Sequence, residues 1–227
     1  KRRKIYPEYK ANRKVKSKLN RNVDWGTAPQ DEQESMKQQM GRLIDYLEQL
    51  PLTLISIDNV EADDVMAYIS QQVLTESDIF LMSTDKDFLQ LVDDRVKVWS
   101  PTKKKLYNKQ AVLEEFGLPS RNMLTYVMEL FDYVGKSDKK IKLLENIKNS
   151  VNLVKRNYLL MQLHKVDIPS HVKLKVQEAV HRKIPQLIKH RFQVMFLQDK
   201  LSNQIKNLDS WIMEFTRLSR FRGLDGK

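Results

Sequence analysis

An α/β domain, with a mostly parallel central sheet flanked by helices and a smaller helical region after it, is the fold the sequence predicts. Short apolar, β-branched runs alternate with amphipathic helical stretches over residues 1–130. From about residue 138 onward no strand-like run appears, which predicts a helical region over 131–227. Hydrophobic residues make up 41% and charged residues 30% of the 227, an ordinary globular composition long enough to bury a core. No run approaches the roughly 18 apolar residues of a membrane span, and no charged-then-apolar leader is present. With no cysteine, disulfides and thiolate metal sites are excluded, and a reducing cytoplasm is the expected setting.

The formal charge of +11 favours a polyanionic partner, and its distribution says more than its size. Lys1, Arg2, Arg3, Lys4, Lys10, Arg13, Lys14, Lys16, Lys18 and Arg21 face a single acid, Glu8, so this short stretch carries a net +9. A solvated basic tail is the ordinary reading of such a run. Tyr6 and Tyr9 among the cations, with apolar Ile5 and Val15, leave open a folded segment that contacts phosphates and stacks on bases. The chain opens on Lys rather than Met, so it is expected to extend upstream.

Gly26 and Pro29 mark residues 22–31 as a loop. Met36, Met40, Leu43, Ile44, Leu47 and Leu50 recur at helical spacing, giving a helix over 32–50 that Pro51 stops. Residues 53–57 read as a buried strand, followed by a helix with Val65, Met66, Ile69 and Val73 on its inner face. The pattern repeats with a strand at 79–82, a turn at 83–86 and a short helix at 87–91. Val96–Trp99 then alternates as a strand, and Lys104–Tyr107 pairs with it as a hairpin across Pro101. Helices are expected at 109–116 and 120–130. Later ones are expected around Leu143, Leu144, Ile147, Val151 and Val154, around Val172, Leu174 and Val176, and over 185–198. Core packing is the expected use of Trp211, Ile212, Met213 and Phe215.

Two acidic clusters follow predicted strands, Glu61-Ala62-Asp63-Asp64 and Asp85-Lys86-Asp87. Either alone has an ordinary explanation, since acids cap helix N-termini and face the positive end of the dipole. Together they acquire another, because ligands of doubly wound sheets bind beyond the carboxyl ends of the strands. Converging carboxylates repel one another, and a divalent ion relieves that cost. Hard oxygen donors without cysteine or paired histidine point to Mg²⁺ or Mn²⁺. His164, His171, His181 and His190 lack zinc spacing and are assigned to packing or surface. A cationic segment beside an acidic metal site suits phosphodiester cleavage.

Three blocks carry a resemblance: Tyr6-Pro7-Glu8-Tyr9-Lys10-Ala11-Asn12-Arg13, then Val60-Glu61-Ala62-Asp63-Asp64, then Ser83-Thr84-Asp85-Lys86-Asp87-Phe88 with Gln90-Leu91-Val92. In order and spacing these resemble the 5′-nuclease (flap endonuclease-like) superfamily, with its PIN-like fold, and most nearly the ribonuclease H (5′→3′ exonuclease) type of T-even-type bacteriophages. The resemblance implies that Glu61, Asp63, Asp64, Asp85 and Asp87 ligate two Mg²⁺ ions, with Mn²⁺ as a substitute. It places Tyr9, Lys10 and Arg13 in a helical arch within residues 1–30, with Lys10 and Arg13 on the scissile phosphate. Lys10, Arg13, Asp85 and Asp87 are then the catalytic candidates. Arg2, Arg3, Tyr6, Tyr9, Lys10, Arg13, Lys14, Lys16 and Lys18 are the nucleic-acid candidates. The implied activity is exonuclease and flap-endonuclease cleavage of DNA and RNA–DNA hybrids at 5′ ends, removing RNA primers during phage replication. The implied setting is a monomer in the host cytoplasm, with single-stranded-DNA-binding protein and a sliding clamp as associates.

The sequence also departs from the family pattern. The family's early Asp would lie upstream of Lys1, and its Gly-Asp-x-x-Asp-Asn block has no counterpart where Met128 to Tyr133 stands. A DNA-binding segment is therefore expected to be missing near 128–133. The competing readings are a non-catalytic DNA-binding relative and a small-substrate phosphatase on a similar sheet; the extended cationic segment argues against the latter.

Overall fold

The computed structural model describes residues 2–8, 29–117, 119–120, 149–166 and 168–220. They belong to two compact units, Lys1–Lys14 with Ile57–Gln177 and Val15–Ser56 with Glu178–Lys227. The expected division at residue 130 and the expected helix over 120–130 fall outside the described residues, as do Leu143, Leu144 and Ile147.

The first unit is built on a three-stranded mixed sheet of order β1 (Ile79–Met82), β2 (Val96–Ser100) and β3 (Lys105–Tyr107). Strands β1 and β2 run parallel with Ile79 opposite Val96, and β2 and β3 run antiparallel with Val98 opposite Tyr107. The predicted hairpin is thus present, and Lys104 in the left-handed region (φ 49°) helps reverse the chain between its strands. Alternation is complete in β2, where Val96, Val98 and Ser100 are buried between partly exposed Lys97 and Trp99. Val96 and Val98 join Ala67, Phe88, Leu89, Leu91, Val112 and Leu163 in one core. Each Val, Leu or Phe among them contributes about 1.5–3 kcal/mol by leaving water, so this core outweighs the surface ion pairs around it.

Helix α1 is the single turn Arg2–Ile5, α2 spans Pro29–Leu47 and α3 spans Ala62–Tyr68. A π-helical turn over Ile69–Val73 continues α3, with the Leu74 N–H donating to the Ile69 carbonyl at 2.9 Å. The single helix expected there therefore changes pitch halfway. A 3₁₀ helix, Lys86–Leu91, connects β1 towards β2. Helix α4, Lys109–Phe116, matches its predicted range because both ends are encoded locally. The Asn108 side chain accepts from the Ala111 N–H at 2.8 Å, and Gly117 at φ 71° closes the helix. Beyond it lie α5 (Val151–Met161), α6 (Ser170–His181), α7 (Lys189–Gln198) and α8 (Leu208–Arg220). No strand appears after residue 138 among the described residues, as expected.

The predicted strand at 53–57 is not one. Residues 53–57 pair with no strand among the described residues, and Leu54 is exposed. Apolar, β-branched composition makes a strand only where a neighbour completes the ladder. The helix expected over 185–198 begins at Lys189, after the Pro185 stretch.

In the second unit Leu50, Phe192, Phe196 and Ile212 form the core, with Tyr46, Trp211 and Phe215 packed against it. The rings of Phe192 and Trp211 lie 5.4 Å apart, so the expected packing role of the 211–215 stretch holds, although Met213 faces out. Only the end of the α2 stripe reaches this core; Met40, Leu43 and Ile44 stay exposed.

Glu115 on α4 clamps the hairpin. Lys103 Nζ and Lys105 Nζ each lie 2.7 Å from its carboxylate, and the Tyr107 hydroxyl donates to it. The Lys103 hydrogen bond, seconded by Lys105, holds the Glu115 carboxyl down at about 2. A depressed carboxyl stabilises the fold above its unfolded value and loses that contribution as pH falls towards the folded one. Glu115→Gln should therefore lower the melting midpoint by a few degrees at most near pH 7, the gap closing between about pH 4.5 and 2. Thermal scans of both proteins across that range test it, and a gap unchanged at pH 2 contradicts it.

Candidate metal centre

Glu61 is the residue before α3, with extended backbone (φ −77°, ψ 143°) and no capping hydrogen bond from its side chain. The ordinary capping role thus does not account for it. Asp63 and Asp64 occupy the first turn, where the helix dipole favours negative charge. Helix α3 is held by buried Val65, Ala67 and Tyr68, which fixes the face its acids present.

The second cluster sits where it was expected, just beyond the carboxyl end of β1. The Asp85 N–H donates to Ser83 Oγ at 3.1 Å, and Asp85 Oδ1 accepts from the Asp87 N–H at 2.9 Å, capping the 3₁₀ helix. Capping accounts for Asp85 in part. It does not account for Asp87, which is half-buried with its carboxyl pushed above the usual range. Burial is the main cause, followed by the negative charges of Asp85 and Asp63, while Arg2 acts in the opposite sense. The fold therefore brings the two acidic turns into electrostatic contact; Asp63 of α3 and Asp85 of the 3₁₀ turn both act on Asp87.

Arg2 lies in this acidic group. Its Nη1 donates to Glu61 Oε2, its Nη2 to Asp64 Oδ1 at 2.9 Å, and its Nε to the Leu160 carbonyl at 2.7 Å. Nothing in the sequence distinguished this arginine from its neighbours in the basic run. Tyr6 is engaged as well: its hydroxyl donates to Glu8 at 2.9 Å, and the Arg156 guanidinium lies 4.0 Å over its ring. The Arg3 side chain, and Tyr9, Lys10, Arg13, Lys14, Lys16 and Lys18, lie outside the described residues. All four histidines are exposed, in keeping with a surface role.

The donor chemistry of this group fits a hard divalent cation: carboxylate oxygens from two elements, with no thiolate in the chain. As the side chains stand, no three of them among the described residues are grouped to hold an ion. Arg2 draws Glu61 and Asp64 to itself, which leaves Asp63, Asp85 and Asp87 as the more electronegative side of the group.

One acidic turn beyond β1 and a second at the start of α3, in a small mixed sheet flanked by helices, make this an α/β domain with two acidic turns. Residues 1–117 match the family described as 5′-3′ exonuclease, N-terminal resolvase-like domain, and the chain belongs to that family. The 5′-3′ exonuclease of Aquifex aeolicus is 27% identical over 159 residues, covering 69% of this chain and 48% of that protein. The flap endonuclease Xni of Tolumonas auensis is 27% identical over 155 residues, 66% of this chain and 57% of that one. The chain thus spans about half the length of these relatives. Among solved structures, the bacteriophage T5 flap endonuclease in a pseudo-enzyme–product complex with DNA and metal ions superposes with a TM-score of 0.55. Its identity is 22%, with 87% of this chain and 78% of that one covered, a likeness of fold. Among the described residues no helix is long and apolar enough to cross a membrane.

Proposed function

We propose that this chain is a metal-dependent 5′-nuclease, hydrolysing phosphodiester bonds at the 5′ ends and flaps of DNA and of RNA–DNA hybrids. The observation that carries this reading is Asp87: half-buried and raised by Asp85 and Asp63, it bears a cost that capping does not explain and a bound cation would relieve. Glu61, Asp63, Asp64, Asp85 and Asp87 are the proposed ligands of two Mg²⁺ ions, with Mn²⁺ as a substitute. Bound there, the ions supply an activated water and stabilise the leaving oxygen.

The chain's own residues do the rest. Lys10 and Arg13 hold the scissile phosphate, and Tyr9 and Tyr6 offer rings to an unpaired base. Arg3, Lys14, Lys16 and Lys18 pair with the backbone, which makes binding steeply salt-dependent. Arg2 serves the acidic group rather than the nucleic acid. The biological role proposed is primer removal during phage DNA replication by a monomer in the host cytoplasm, alongside single-stranded-DNA-binding protein and a sliding clamp.

A 5′-labelled flapped duplex tests the proposal. Short labelled products are expected with Mg²⁺ or Mn²⁺ and none with chelator. A second reading, a DNA-binding relative without catalysis, draws on the absence of a ready three-ligand group among the described residues. It predicts salt-dependent binding with no calorimetric uptake of Mn²⁺ and no products.

A further inference from the structure

Helix α5 ends beside both acidic turns, and its last carbonyls have no partner within the helix. Two of them are satisfied by Arg2 of α1, which is itself paired with the first acidic turn, and by Gln90, which belongs to the second. Arg2, paired with Glu61 and Asp64, donates from Nε to the Leu160 carbonyl at 2.7 Å. Gln90, in the last turn of the 3₁₀ helix and only 3% exposed, does more. Its Nε2 donates to the Asp87 carbonyl at 2.6 Å and to the Met161 carbonyl at 3.2 Å, while its Oε1 accepts from the Leu163 N–H at 2.8 Å. One buried amide uses both its donors and its acceptor to tie the backbone of Asp87 to residues 161–163. Leu163 itself is in the core with Phe88, Leu89 and Leu91.

We infer that the C-terminal turn of α5 is the template that sets the acidic turns against each other, and that Gln90 is the positioning residue for Asp87. This rests on the metal-dependent reading above. A glutamine suits the task because its amide carries no charge that would add to the crowded carboxylates. A Lys of similar length would hold the Asp87 carbonyl only by changing the field at the site, and an ionised Glu has no proton to donate to it. Fixing the Asp87 backbone limits how far its carboxylate can retreat from Asp85 and Asp63, so the repulsion between them persists until a cation arrives.

The test uses the full chain and three variants: Gln90→Met, similar in length but without the amide; Gln90→Asn, which keeps the amide but falls one methylene short; and Asp85→Asn/Asp87→Asn as a reference. Mn²⁺ binding is read by calorimetry, folding by melting midpoint, and cleavage by kcat and KM on a 5′-flapped duplex. Outer partners of metal ligands typically change affinity or activity by 10–100-fold. Gln90→Met should weaken Mn²⁺ binding by at least about tenfold and lower kcat with KM nearly unchanged, and Gln90→Asn should fall between it and the wild type. If Gln90→Met does not fold, Gln90→Asn decides. Folded variants that bind Mn²⁺ like the wild type, whatever their melting midpoints, overturn the positioning role. If the reference pair also binds Mn²⁺ like the wild type, the ion lies elsewhere and the metal reading itself has failed.

Discussion

Asp85→Asn/Asp87→Asn is expected to reduce divalent-ion-dependent cleavage on the order of 10³-fold or more, with DNA affinity within about twofold of the wild type. With Asp63, the two carboxylates form the side of the acidic group that Arg2 does not hydrogen-bond, so the proposed ions depend on them most. The proposed phosphate contacts lie in the basic segment and do not involve either residue. The control for misfolding comes from the same residues. Asn caps about as well as Asp, so the bond from the Asp87 N–H survives the change. The Asp87 carboxyl is raised above its ordinary value, chiefly by burial and then by Asp85 and Asp63. A raised carboxyl favours the fold while protonated and costs stability once pH passes upward through the raised value. At neutral pH in chelator the double variant should therefore melt no lower than the wild type. Lost cleavage with a preserved melting midpoint supports a catalytic role; cleavage that persists undiminished rejects it.

The elements legible in the sequence are those whose signals are local. The β2–β3 hairpin shows as alternation around Pro101, and α4 as Asn108 before it and Gly117 after it. Strand β1 was found because a short apolar run bounded by polar residues has few other uses. The 53–57 run carries a similar signal, yet a strand is a property of a pair and one sequence does not list partners. The acidic turns are legible as clusters, but of the two strand ends from which their approach is inferred only that of β1 is present among the described residues. Which cation each carboxylate meets was not legible. Arg2 sits in a run of look-alike cations, and only the packing of α1 near α5 singles it out. Gln90 stands within a family block, but its burial and its two distant backbone partners are invisible in a single polar letter.

Arg2→Met is the substitution expected to reshape the site most without replacing a proposed ligand. Methionine keeps much of the apolar stem and removes the guanidinium. The Arg2 side chain is 10% exposed, with Glu61 at 31% and Asp64 at 20%, so the pairs lie between the surface and the deep interior. Surface pairs contribute about 0–1 kcal/mol and breaking buried ones costs about 3–5, which puts the expected loss at about 2 kcal/mol. At roughly 2–4 °C per kcal/mol for a chain of this size, the melting midpoint in chelator should fall by about 4–8 °C. Divalent ions should then reverse the effect. Where Arg2 holds Glu61 and Asp64, an incoming ion must compete with its guanidinium; where Met stands, that competitor is gone. An ion that binds only the folded chain stabilises by about 2.7 kcal/mol at a hundredfold its Kd, so saturating Mn²⁺ should raise the variant's midpoint more than the wild type's. Equal shifts in the two proteins would mean that Arg2 and the ion do not compete for the same carboxylates, and that the role of the arginine is structural.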